Sequence, residues 1–418
     1  MINRENKTQV TLAKTSRAQR HMLYAAVITI LVVCTGYKSV LPVFRSHLMH
    51  YLDIGDDRFG LLFSLAALTG LVSVLFGGQL LDRWGPRRMI RICLTGLGGS
   101  MLVIAFGGPH FVSFAIALAL AGVFLSTFHI AVSSYLGRLF PRNKRRILSL
   151  NLASVSTSGL LFPIVAEGLL QLASRSPTVT FGQVLHLPFM LVGGLLFAAT
   201  FIYRRPLSTQ GNNGYPFTAQ RQSWQWRDCL LTRKAFFLAM LISMHGLADS
   251  VLHMWMPRFL ESKSFEVAPV PPGLVLSGYA LAYLLSRSLF ATIPDHCGRR
   301  LFLVLPGLAG GAILIAAILS RQYAVTAVGY ILAAFCWSCE YPALVSTLMH
   351  HCGKRFGAAM AVAGLLHAGV MFLAMNAMGL AVYHLGDQQM WKLMLVPALL
   401  FPLIGIGAII WIRHYDHK

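Results

Sequence analysis

Twelve predominantly apolar stretches, near 22–45, 58–81, 88–107, 110–138, 146–172, 184–203, 234–258, 273–294, 301–319, 322–349, 356–383 and 391–412, take up most of this 418-residue chain. Each is about as long as the roughly 20 residues that carry a helix across the hydrocarbon of a bilayer. A soluble core has no use for so much apolar sequence: 56% of the residues are hydrophobic, 12% are charged, and the mean hydropathy is +0.64. The pattern predicts an all-α membrane protein with twelve transmembrane helices. The polar first 20 residues lack a short apolar core with a small-residue cleavage site, so no signal peptide is expected.

The formal net charge of +21 raises the question of a nucleic-acid partner, and the placement of the charge answers it. With a cytoplasmic N-terminus, the tail, the even-to-odd loops and the C-terminus hold 26 of the 35 Lys and Arg residues. The opposite face holds seven, and Lys38 and Arg287 fall inside spans. This is the positive-inside distribution, so topology accounts for the charge and both termini are expected in the cytoplasm. No nucleic-acid partner is expected, because a nucleic-acid footprint would need a basic face on a soluble fold.

One tight basic turn occurs twice. Gly78, Asp82, Arg83, Gly85, Arg87 and Arg88 lie between the second and third apolar runs, and Asp295 and Gly298 repeat the Asp-x-x-Gly spacing 213 residues later, followed directly by Arg299 and Arg300. A second alignment, of Lys38-Ser39-Val40-Leu41 with Asp249-Ser250-Val251-Leu252, gives an offset of 211. Both point to an internal duplication of two six-helix halves. The boundaries expected are residues 1–203 for the first half, 204–233 for a cytoplasmic linker and 234–418 for the second half. Within the linker, residues 223–231 could form an amphipathic helix on the membrane surface.

The first turn resembles the signature loop of the major facilitator superfamily, Gly-x-x-x-Asp-Arg-x-Gly-Arg-Arg, with Pro86 inserted before the arginines. The second copy is degenerate, with Ala291 and His296 at family glycine and arginine positions. The resemblance implies a secondary transporter, not an enzyme, in which this turn is a cytoplasmic gate. It also implies that helices one, four, seven and ten line a central cavity.

Ionisable residues inside those helices are therefore the candidate site. Lys38, His129, Asp249 and Glu340 lie in the first, fourth, seventh and tenth runs. The repeat offset sets Lys38 opposite Asp249 and His129 opposite Glu340. His245, Asp249 and His253 recur every four residues and share a helix face. Buried charges of this kind cost about 2.5–3.5 kcal/mol each on insertion scales, so they normally face a cavity or a partner. Asp249, Glu340, His245 and His253 are the candidate proton carriers. In the acidic loop before the second helix, Asp56 or Asp57 is expected to cap that helix. Cys336 and Cys339 have metal-like spacing but no second pair nearby, so neither a metal nor any other cofactor is expected.

Arg287 bears on the substrate. It lies eight residues before Asp295, the spacing at which proton-coupled monocarboxylate carriers of this superfamily hold a carboxylate-binding arginine. Lys38 resembles their helix-one lysine. Tyr283 stands where those carriers have an acid, and their helix-one Asp-Gly-Gly-Trp-type motif is absent. Substrate contacts are expected from Lys38, Arg287, His129 and Tyr283. The reading is proton-coupled symport of a small organic anion by a monomer in the plasma (inner) membrane. Alternatives are a neutral-solute symporter of sugar type, a proton-antiporting efflux carrier, for which the helix-five Gly-Pro motif is missing, and a non-transporting receptor.

Overall fold

The computed structural model describes residues 17–34, 39–139, 144–175, 180–204, 232–262, 265, 269–290, 299–352 and 356–415. In chain order the helices are α1 (Arg17–Cys34), α2 (Arg45–Leu52), α3 (Asp56–Trp84), α4 (Pro86–Phe106), α5 (Phe111–Leu139), α6 (Lys144–Arg175), α7 (Phe181–Ile202), α8 (Arg233–Leu260), α9 (Pro272–Phe290), α10 (Arg299–Leu319), α11 (Tyr323–Trp337), α12 (Glu340–Cys352), α13 (Phe356–Leu385) and α14 (Met390–Tyr415). No strand occurs among the described residues. Ten helical segments are long and apolar enough to cross a membrane, Tyr323–Cys352 being one of them, and His21–Val33 is a shorter apolar helix. The linker expected at 204–233 lies outside the described residues except for Arg204, Thr232 and Arg233, and so does its amphipathic segment at 223–231.

Local chemistry sets the boundaries. At the start of α7 a reciprocal cap forms: the Thr180 hydroxyl accepts from the Gln183 N–H at 3.5 Å, and the Gln183 side chain accepts from the Thr180 N–H at 3.0 Å. Between α3 and α4, Gly85 adopts φ 75°, a conformation that costs a glycine little. Pro86 then opens α4 in its first turn, where the missing N–H would have had no helical partner anyway. The departure from the family turn is therefore compatible with a sharp helix start. At α3 the cap differs from expectation. Gly55 holds the N-cap position, and Asp56 and Asp57 sit inside the first turn, where carboxylates gain from the helix dipole but do not cap.

Two helix breaks carry a proline. Pro42 lies in the turns between α1 and α2, and Pro342 lies two residues into α12, immediately after the break from α11. Proline cannot donate to the carbonyl four residues back, so Pro342 leaves the Ser338 carbonyl without its helical partner.

Taken by chain order as two sets, α1 to α7 and α8 to α14, the helices pack across that divide mainly along two seams, α3 against α13 and α6 against α9. The first seam is close because it is built on glycine. A Cβ at Gly379 would come within 2.7 Å of the Asp56 carbonyl oxygen and 3.1 Å of the Gly60 Cα. In a bilayer, where apolar side chains gain little by leaving lipid, backbone approach through small residues is a principal source of helix association. Large apolar side chains such as Phe106, Leu191, Leu195, Leu285, Leu399 and Leu403 face outward.

Candidate functional site

The site begins from the carbonyl that Pro342 leaves free. That carbonyl belongs to Ser338, and the Arg287 Nε–H of α9 donates to it at 3.5 Å. Arg287 Nη1 donates to the Ser156 hydroxyl of α6 at 3.4 Å, across the seam between the two helix sets. The guanidinium also lies 4.5 Å from the centre of the Tyr283 ring. The break between α11 and α12, the last turn of α9 and the facing side of α6 thus meet at one arginine.

One turn away is Asp249. Its Oδ1 accepts from the hydroxyls of both Tyr279 and Tyr283. Tyr283 in turn accepts from the Trp337 indole N–H at 2.8 Å, forming a directed chain from Trp337 through Tyr283 to the carboxylate. Bonds of this kind polarise one another in a low-dielectric interior. Tyr330 stacks on Tyr279 at 4.8 Å and 14°, and the His253 ring lies 5.3 Å from Tyr279, tilted at 43°. The spacing Tyr279, Tyr283, Arg287 is a period of four on α9, a stripe legible in the sequence that the motif reading used only in part. Tyr279, Trp337 and Ser156 were missed.

Expected pairings divide three ways. Lys38 lies outside the described residues, as do Asp295 and Gly298, so the pairing of Lys38 with Asp249 falls there too. Glu340 does not turn across the cavity to His129. Its Oε2 meets His245 Nδ1 of its own helix set at 2.8 Å, with Glu340 0% and His245 2% exposed. The reason is steric and local: the fold seats α12 directly on α8, and Glu340 begins α12 facing it. His129 is half-buried in α5 beside the Phe128 ring. The shared face of His245, Asp249 and His253 is real, yet it serves two neighbours: His245 reaches α12, while Asp249 and His253 reach α9.

The two ends of the bundle differ. At the end carrying the signature turn, Arg87 lies 5.7 Å from the Tyr135 ring, and Arg88 5.6 Å from Trp84, all within the first helix set. Arg83 is exposed; Gly78 and Asp82 lie in the last turns of α3, and Arg299 and Arg300 open α10. At the opposite end the sets are clasped by charge. Asp56 accepts from Arg45 and, at 3.5 Å, from Arg258, which also donates to Asp387; Ser46 donates to Glu261. Arg45, 1% exposed, lies 4.8 Å from the Phe59 ring and 4.6 Å from the Trp255 ring, which meet each other edge to face. This clasp was not anticipated, because its members lie far apart in the chain.

Helices long and apolar enough to cross a membrane, with ionisable side chains gathered inside and at the seams, mark a multi-pass membrane protein. The chain belongs to the Major Facilitator Superfamily, whose family model matches residues 26–375. Among solved structures it is similar to the transporter FucP in its outward conformation, with a TM-score of 0.67 and 14% identity over 94% of this chain and 99% of that one. It is also similar to a bacterial homologue of the human lysosomal transporter Spinster, inward-facing and occupied, with a TM-score of 0.69 and 12% identity over 96% and 98% of the two chains. A variant of the E. coli fucose:proton symporter FucP gives 0.64 and 15% over 94% and 98%. No curated protein sequence matches it significantly.

Proposed function

We propose that this protein is a secondary transporter working by alternating access, and that it carries a small organic anion together with a proton. The reading takes the chain as twelve crossings in two halves, 1–203 and 234–418, joined by a cytoplasmic linker at 204–233. Both termini are cytoplasmic and the protein lies in the plasma membrane as a monomer. The observation that carries the anion reading is Arg287. It is a guanidinium inside a spanning helix whose described bonds go only to neutral oxygens, those of Ser156 and Ser338. Among the described residues no carboxylate lies within ion-pair distance of it. A cation so placed is expensive in the membrane, and a carboxylate accepting two parallel N–H bonds would offset that cost. Lys38 supplies a second positive group in this reading, with Tyr283 and His129 lining the same path.

Coupling rests on Asp249, a carboxylate inside a spanning helix that accepts from the Tyr279 and Tyr283 hydroxyls, contacts that would change as the halves rock. His253 beside Tyr279 is positioned to pass the proton, and the His245–Glu340 pair is a second carrier.

A thermal-shift series with monocarboxylates and neutral sugars, on the native chain and on Arg287→Lys, tests the reading, since a ligand stabilises only the state that binds it. Stabilisation by carboxylates that Arg287→Lys removes is the expected result. Stabilisation by sugars, indifferent to Arg287, would favour a neutral-solute symporter instead. That second reading has its own support in the aromatic collar of Tyr279, Tyr283 and Trp337 around Asp249, and in the structural similarity to a protein described as a fucose:proton symporter.

A further inference from the structure

On the outer face of the first helix set, away from Arg287 and Asp249, a groove of about 630 Å³ opens between α4, α5 and α7. Its rim carries three arginines, Arg88 and Arg91 from α4 and Arg204 just beyond α7. Its walls are apolar, with Phe124 of α5 and Phe201 of α7 among them. No carboxylate is among its described lining residues. Arg91 Nε is buried and has no hydrogen-bond partner among the described residues. Phe201 is 61% exposed on a helix long and apolar enough to cross a membrane, so the groove opens towards lipid and not into the bundle.

We propose that this groove is a binding site for one anionic glycerophospholipid, its phosphate held by Arg88, Arg91 and Arg204 and an acyl chain laid against Phe124 and Phe201. Guanidinium groups offer paired N–H donors that match phosphate oxygens. Three of them together favour a headgroup with net negative charge over a zwitterionic one. The floor is set by Gly96: a Cβ there would come within 2.3 Å of the Phe124 ring, so only glycine lets that ring lie flat against α4. A groove with a charged rim and an apolar interior, open to the bilayer at the end of a span, has the amphipathic form of a phospholipid. The inference rests on α4 and α7 crossing the membrane. It depends neither on transport nor on which leaflet they meet.

Native mass spectrometry of the full-length protein in detergent, with phosphatidylglycerol or phosphatidylcholine added, reads the site directly. One retained phosphatidylglycerol per chain is expected, and Arg91→Gln with Arg204→Gln should lower its retention roughly tenfold. Arg413→Gln, at the far end of α14, should leave it unchanged. Gly96→Ala, which alters the groove's shape and no charge, should also weaken retention. Equal retention of the two lipids, indifference to the arginine pair, or displacement of the lipid by inorganic phosphate alone would each overturn the proposal. None of these readouts requires turnover, so failure here is distinct from failure of the transport reading.

Discussion

At the scale of single residues, two carboxylates carry most of what can be tested. Asp249 accepts from Tyr279 and Tyr283, and an asparagine there keeps an acceptor oxygen while losing the titrating group. Asp249→Asn is expected to abolish accumulation driven by a pH gradient yet preserve exchange of substrate down its own gradient, because exchange needs no net proton movement. Proteoliposome uptake under each condition checks this, and concentrative uptake by the variant would move the proton to Glu340 and His245. Those two form a closed pair, almost wholly inaccessible to solvent. Removing one member of a buried hydrogen-bonded pair costs about 1–3 kcal/mol, because the partner is left without its bond. His245→Ala should therefore lower the melting temperature of the purified protein sharply. Glu340→Gln added to it should recover much of the loss, since a neutral amide tolerates burial better than an unpaired carboxylate.

At the scale of elements, the break between α11 and α12 matters most. Pro342 frees the Ser338 carbonyl, and Arg287 takes it. Restoring a backbone donor with Pro342→Ala would let the helix ladder claim that carbonyl and run α11 into α12. The variant should fold, because it removes a helix breaker, but it should lose ligand-induced stabilisation in step with Arg287→Lys. Equal ligand stabilisation in Pro342→Ala and the native protein would show that the freed carbonyl does not position the arginine.

For the whole molecule, the charged clasp and the glycine seam act at one end. Arg45, Asp56, Arg258 and Asp387 join the helix sets there, next to the contact of Gly60 with Gly379. At the other end, the described contacts of Arg87 and Arg88 stay within one set. An alternating-access protein closed at the clasp should open there when the clasp is weakened. Arg258→Gln removes the bridge from Asp56 to Asp387 and should shift the balance by about 1–2 kcal/mol, a roughly fivefold to thirtyfold change in population. Distances between spin labels on the two sets at that end would report it as growth of a longer-distance population. An unchanged distance distribution would mean that the glycine seam alone holds the end shut.

Composition and periodicity determined the class of this protein: long apolar runs, alternate loops that are basic and a repeated turn need no tertiary knowledge, because the bilayer selects on length, hydropathy and charge. Spacing along one helix likewise put His245, Asp249 and His253 on one face, since helical geometry is local. What each of them touches was decided only by the packed chain. Repeat symmetry put Glu340 opposite His129, but the seating of α12 on α8 gave it His245 instead. The sequence showed Arg287 and Pro342 as separate residues, and only the fold brought the guanidinium to the carbonyl that the proline had left free. The clasp was hidden for the same reason: Arg45 and Asp387 lie far apart in the chain and meet around Asp56 and Arg258 only when two separate helix sets come together.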